Sequence, residues 1–419
     1  METYQVSPYR WVILLCMIPA LAMVNVDWIT FAPITSETAK LYKVSTLSVA
    51  FLSMSFMIVY VFAAFPASWL LDTKGFRAGV GVGALLVAGF GMLRGACASN
   101  FTVVTIAQIG IAAGQPFLVN SITKVAARWF PFNERATATG IATLAVYAGT
   151  VIALVATPYL FQSLGGMHGG IERMLMVYGY LGIFSAVVFF LFARERPMTP
   201  PGPAEELVHK LSLAEMAGIT RNRNFMLLMV CVFVMMGIYN AVMTWVEDGI
   251  LGPRGIPATQ AGMIGGMMVA IGVLGALILP TLSDKLRKRQ PFLVWAILAS
   301  IPGFFGLTFS SNYYVLLASS ALMGFFILGV GPIAFQYGAE VAYPVPEGTS
   351  YGILMALGQI SGIIFIFGMD ACRSGPTAPM TASLFIFIFL MFAMFLLARR
   401  LKESPLVQLT PDPPLRACE

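Results

Sequence analysis

The sequence predicts an all-α membrane protein of about twelve transmembrane helices, arranged as two six-helix bundles around a central cavity. Three observations carry this. Apolar stretches of roughly twenty residues recur along nearly the whole chain, and that is the length a helix of 1.5 Å rise per residue needs to cross a hydrocarbon core about 30 Å thick. Hydrophobic residues make up 58% of the 419 and charged residues 11%, with a mean hydropathy of +0.83. A soluble domain carries ~25% charge to clothe its surface, so much of this surface must face lipid. Finally, the only long polar segment, Ala193 to Asn224, divides the chain near its middle and is rich in proline (Pro197, Pro200, Pro201, Pro203).

In order, the first half holds spans at Trp11 to Ala32, Leu47 to Leu71, Gly79 to Ala98, Thr102 to Ala126, Thr137 to Phe161 and Leu175 to Phe192. The second half holds Phe225 to Val246, Gln260 to Leu282, Phe292 to Phe309, Tyr313 to Phe335, Gly348 to Met369 and Thr381 to Leu397. The first stretch is too long for a signal peptide and lacks a cleavage pattern, so it reads as a helix of the mature protein. The expected organisation is an N-terminal bundle at 1–193, a cytoplasmic linker at 194–224, a C-terminal bundle at 225–400 and a cytoplasmic tail at 401–419.

Charge supplies orientation. With both termini on the cytoplasmic side of the cell membrane, 19 of the 25 Lys and Arg fall on that side, and Lys40, Lys43, Arg94, Arg173, Arg254 and Arg373 remain on the other. This agrees with the excess of basic residues in cytoplasmic loops. The net charge of +6 is therefore a topology signal, and no nucleic-acid partner is expected. The five cysteines (Cys16, Cys97, Cys231, Cys372, Cys418) are far apart, with neither a CxxC pair nor histidine partners, so no metal site is expected. His168 and His209 lie in loops on opposite sides. No catalytic constellation forms, and neither enzyme activity nor a cofactor is predicted. Asn100-Phe-Thr102 fits a glycosylation sequon but hugs the membrane, so it reads as chance.

Equivalent positions of the two halves carry related loops. Asp72-Thr-Lys-Gly75-Phe-Arg77 follows span two, and Asp284-Lys-Leu-Arg287-Lys-Arg289 follows span eight. An acidic residue at a helix end followed by a basic turn can clasp neighbouring helices. The pair resembles the loop motif of the major facilitator superfamily, with Ser68 and Pro280 standing where that motif has its first glycine. The resemblance implies the major facilitator fold. Asp72, Arg77, Asp284, Glu340 and Glu347 are the gating candidates, with Glu340 expected to reach Lys124, Arg128 or Arg135 across the bundles.

Two longer stretches narrow the family. Ala113-Gly-Gln115-Pro-Phe-Leu-Val-Asn-Ser-Ile-Thr-Lys124-Val-Ala-Ala-Arg-Trp129-Phe130 and Phe335-Gln-Tyr-Gly-Ala-Glu340-Val-Ala-Tyr343-Pro344-Val-Pro-Glu347-Gly-Thr-Ser, running on to Leu357-Gly-Gln359, resemble the feline leukaemia virus subgroup C receptor-related (FLVCR-type) transporters of solute carrier family 49. Asn25-Val-Asp27-Trp28-Ile-Thr-Phe31-Ala-Pro33 adds a third match. The resemblance implies transport of a small organic solute by alternating access, uniport or weakly coupled; a monomer is expected. Choline and ethanolamine come first as cargo, with haem or a pyridoxine-like solute as alternatives. It also implies a substrate site at Trp28, Gln115, Tyr239 and Gln359; helical geometry adds Asn25 and Phe31, about 60° around from Trp28, and Asp27 joins them as a carboxylate within the span, where the family usually has an uncharged residue. Such a site is chemically coherent, because a quaternary ammonium has no N–H to donate and is recognised by aromatic faces, while glutamine amides line a cavity without fixed charge.

Spacing supports part of this reading. Gln108 and Gln115 are seven residues apart, about 20° from one helix face, although an interhelical hydrogen bond is the other role open to a membrane glutamine. Asp27 is the anomaly, since a carboxylate within a span is costly and marks a functional site. Trp28 in the cavity would turn Asp27 about 100° away. Arg94, near the outer end of span three, is expected to snorkel to the interface rather than to pair with Asp27. Proton-coupled efflux fits less well, because span four has no arginine before its terminal loop and span five has no Gly-Pro signature. A ligand receptor that moves nothing remains the reading of a different class, which transport into proteoliposomes decides.

Overall fold

The computed structural model describes residues 7–131, 134–197, 222–343, 345, 347–375 and 378–403, the side chains of 136 and 347–349 excepted. Among them, twelve stretches are helical, long and apolar enough to cross a membrane, one for each predicted span. Span one is Arg10–Ile29, followed by a 3-10 turn at Ala32–Ile34 and a short helix at Thr35–Tyr42. Spans two and three are Thr46–Thr73 and Phe76–Ala96. Span four breaks into Phe101–Val119 and Ser121–Trp129, and spans five and six are Arg135–Ser163 and Gly170–Phe192. Span seven, Arg223–Thr244, leads into a π-helical turn at Val246–Leu251. Spans eight to twelve are Ala258–Leu286, Gln290–Phe309, Tyr313–Ala342, Glu347–Ala371 and Thr381–Ala398. Most of the expected linker and tail lie outside the described residues.

Local chemistry sets several boundaries. Asn100, Asn222 and Asn312 each accept backbone N–H bonds from the first turn of the helix they precede, a cap worth about 1 kcal/mol. Asn100 of the apparent sequon is thus a capping residue. Span four breaks three residues beyond its interior Pro116, and Asn120 at the break accepts from the Tyr60 hydroxyl (3.0 Å) and donates to Ser68 (3.3 Å).

Twelve crossings leave both ends of the described chain on one face of the molecule, here the terminal face; the other is the distal face. Within the first half, span one packs on five, two on four, and three on both four and six. The second half repeats this with seven on eleven, eight on ten, and nine on ten and twelve. The two halves meet where five packs on eight and two packs on eleven, pairs that a two-fold exchange of the halves interconverts. Glycines permit these approaches, as small residues do between helices in lipid. A Cβ at Gly262 would collide with the Leu154 carbonyl across the interface between halves, and one at Gly324 with the Met268 carbonyl between spans eight and ten. Outward-facing Phe62, Phe65, Trp69 and Phe389 are largely exposed, as a lipid-facing belt requires.

Glycines that let the two halves approach are Gly262 against Leu154, Gly266 against Val155 and Gly362 against Met57. Counted at 1.5 Å per residue from the helix ends, they fall in the distal half or near mid-depth.

Candidate functional site

Span one carries the most unusual group. Asp27 is 1% exposed and Arg94 is 0% exposed, and an Arg94 Nη2 donates to Asp27 Oδ1 at 2.5 Å. The other Nη donates to Gln108 Oε1 (2.6 Å), and the Gln108 amide donates to the Asp27 backbone carbonyl (2.8 Å). The guanidinium also sits over the Phe31 ring, 5.7 Å from its centroid. This corrects the expectation for Arg94: it does not snorkel but closes a three-span clasp inside the first bundle. Gln108 does not share a cavity with Gln115 either. About 10 Å of rise separates the two, and at the depth of Gln108 span four is enclosed by spans one and three.

The seven expected substrate residues divide into two sets. Asn25 is buried and donates back to Leu21 of its own helix (3.0 Å), Phe31 is buried against Arg94, and Asp27 is occupied by the clasp. The described polar and ring partners of all three belong to the first half. Trp28, Gln115, Tyr239 and Gln359 are each half-buried, and among the described residues their polar groups have no hydrogen-bond partner. They come from spans one, four, seven and eleven. Gln359 lies one turn toward the terminal face from Gly362, where span eleven meets Met57 of the other half.

Sequence reasoning missed part of this lining. Tyr147 of span five is within electrostatic reach of Tyr239 of span seven and of Tyr351 of span eleven, and Tyr351 is also within reach of Tyr60 of span two. Phenols of both halves thus lie within electrostatic reach of one another. Tyrosine at helical spacing is common core material, so periodicity alone gave no signal.

The distal face is closed by a polar seam that sequence reasoning also missed. The backbone N–H of Ser36 donates to Glu247 Oε2 (2.9 Å) and its hydroxyl to Asp248 Oδ1 (3.1 Å). Arg373 donates to Asp248 Oδ2 (2.7 Å) and reaches back to Thr46 Oγ1 of the first half (3.2 Å). Burial, with Glu37 opposite, pushes the Glu247 carboxyl up to about 8.

At the terminal face the described ion pairs each stay within one half. Lys124 pairs with Asp72, and Arg128 pairs with Glu195, whose carboxylate also accepts from the Phe76 and Arg77 backbone at the start of span three (3.2 and 2.8 Å). Arg289 pairs with Asp284 and, at 3.2 Å, with Glu340. Glu340 therefore does not reach Lys124, Arg128 or Arg135 as expected, because its own half supplies a nearer cation. The Arg77 side chain is exposed, and the side chain of Glu347 lies outside the described residues.

The comparisons with known proteins agree with this architecture. Residues 17–366 match the family model described as Major Facilitator Superfamily, and the chain belongs to that superfamily. The chain is 29% identical over 375 residues to "Choline/ethanolamine transporter flvcr2a" of Danio rerio, covering 85% of this chain and 79% of that one. It is 29% identical over 429 residues to "Choline/ethanolamine transporter FLVCR1" of Mus musculus, covering 94% and 75%. It is therefore a membrane transporter rather than an enzyme, and the relatives it resembles within the superfamily are of the FLVCR type. Among solved structures, the fold is similar to that of a bacterial homologue of the human lysosomal transporter Spinster, in an inward-facing and unoccupied conformation, with a TM-score of 0.75 at 16% identity over 94% of this chain and 98% of that one. It is also similar to FucP in the outward conformation, with a TM-score of 0.64 at 15% identity over 94% and 99%.

Proposed function

We propose that the protein carries a choline- or ethanolamine-like organic cation through the cell membrane by alternating access, as a monomeric uniporter. The observation that carries this reading is the set of half-buried, unpartnered aromatic and amide groups on spans one, four, seven and eleven. Asp27 and Arg94, fully buried inside the first bundle, pair with each other and add no fixed charge to that set. A cation with little or no hydrogen-bonding capacity fits such a lining: Trp28 and Tyr239 offer π faces at ~0.5–2 kcal/mol each, and Gln115 and Gln359 can orient a hydroxyl. Relatives named as choline/ethanolamine transporters support the cargo class.

The terminal face is cytoplasmic in this reading, because it gathers the basic loops. A closed distal seam then corresponds to the inward-open state. In the outward-open state the two acidic-basic loops come together, with Asp72, Arg77, Asp284, Glu340 and Glu347 bridging the halves that here pair separately. The test is calorimetric titration of the purified protein with choline, ethanolamine, pyridoxine and haem. Saturable choline or ethanolamine binding is expected; binding of only pyridoxine or haem would refute the cargo class.

A further inference from the structure

We propose that Asp27, Arg94 and Gln108 are positioning residues which set the rotation of span one and so aim Trp28 between the bundles, controlling substrate affinity without touching substrate. The inference rests on the reading of Trp28 as a substrate contact.

The geometry isolates Trp28 as the residue left free. Asp27 and Phe31 are four residues apart, hence about 40° from one helix face, and one guanidinium engages both: Nη2 bonds to Asp27 at 2.5 Å and Cζ lies 5.7 Å from the Phe31 ring. Trp28 stands about 100° around the helix from Asp27 and 60° from Phe31. With those two held inside the first bundle, the indole is turned outward.

The clasp also acts where span one is weakest. The span ends at Ile29 before the 3-10 turn Ala32–Ile34, so its last carbonyls lack regular helical partners. Gln108 donates to the Asp27 carbonyl (2.8 Å), and the Thr30 hydroxyl donates to that of Val26 (2.6 Å). The end of the regular helix next to Trp28 is therefore also tied down by side chains. A buried ion pair is weak evidence for stability and is better attested as a device that fixes register. Here the register fixed is that of an aromatic candidate contact.

A double-mutant cycle on the full chain in lipid nanodiscs, read by radiolabelled choline binding, tests this. Gln108→Met keeps side-chain length while removing both bonds of the amide. It is expected to weaken choline binding about tenfold in the native background, within the range of couplings between linked residues, and less than about twofold in Trp28→Ala. Equal weakening in both backgrounds would overturn the proposal. Should Trp28→Ala itself leave choline binding intact, the substrate reading fails instead, and the clasp is judged by ¹⁹F NMR of fluorotryptophan-labelled, ligand-free protein. The Trp28 resonance, assigned by its loss in Trp28→Phe, is expected to shift and broaden on Gln108→Met; an unmoved resonance contradicts the clasp. If Gln108→Met fails to fold, the pair Asp27→Asn with Arg94→Gln replaces it, with the same two readouts deciding.

Discussion

Trp28 and Asp27 are neighbours with opposite environments, and each supports a prediction. Trp28→Ala removes an aromatic face and its apolar area, so choline binding should weaken by ~1–3 kcal/mol, about 5- to 150-fold. Trp28→Phe, which keeps a weaker π face, should fall between the two in the same titration. Arg94→Ala leaves the Asp27 carboxylate buried without its partner, and removing one member of such a pair costs about 3–5 kcal/mol. A thermal unfolding midpoint equal to that of the native protein would contradict this. The pair was within reach of the sequence. Asp27 lies 17 residues beyond Arg10 and Arg94 lies 18 beyond Phe76, at the ends of helices that start on one face, so both sit at about 26 Å depth. Treating Arg94 by its nearness to a helix end, rather than by its depth against Asp27, hid the match. Trp28, Gln115, Tyr239 and Gln359 were singled out by family resemblance, with spacing in support at Gln115, since nothing in helical periodicity separates a cavity wall from a core wall.

The distal seam between Ser36 and the π-helical turn Val246–Leu251 acts as one element. Glu247 is held near pH 8 there, by burial and then by Glu37, whereas a hydrated glutamate titrates near ~4.3. The closed seam thus binds the proton more tightly than an open, hydrated one. Low pH favours closure, and the preference fades as pH rises from about 4.3 through about 8. Spin labels at the exposed positions Lys40 and Ser311, on opposite halves of the distal face, should therefore show a longer-distance population in double electron–electron resonance at pH 9 than at pH 6. Glu247→Gln should remove that dependence; an unchanged distribution in the native protein would refute the linkage. Asp248, paired with Arg373 and bonded to Ser36, gives a second handle. Arg373→Gln should raise the distal-open fraction at any pH, measured with the same labels. None of this was legible in the sequence, because Glu247 and Asp248 meet Ser36 only through the folded turn Val246–Leu251, 211 and 212 residues further along the chain.

At the scale of the whole molecule, span number and the division into two halves were readable because the bilayer imposes one length on every helix. The span-to-span contacts, repeated with an offset of six, were foreshadowed only by the two acidic-basic loops. Which state the halves adopt was not readable. The loop charges have alternative partners, and in this state Asp72 takes Lys124 while Glu340 takes Arg289, each within its own half. The central claim is that this two-bundle facilitator moves a small organic cation through a site built on Trp28. Uptake of radiolabelled choline into proteoliposomes reconstituted with native protein and with Trp28→Ala tests it most directly. The account predicts saturable, protein-dependent uptake that Trp28→Ala reduces at limiting choline; no uptake of choline or ethanolamine, with another solute carried equally well by both proteins, would contradict it.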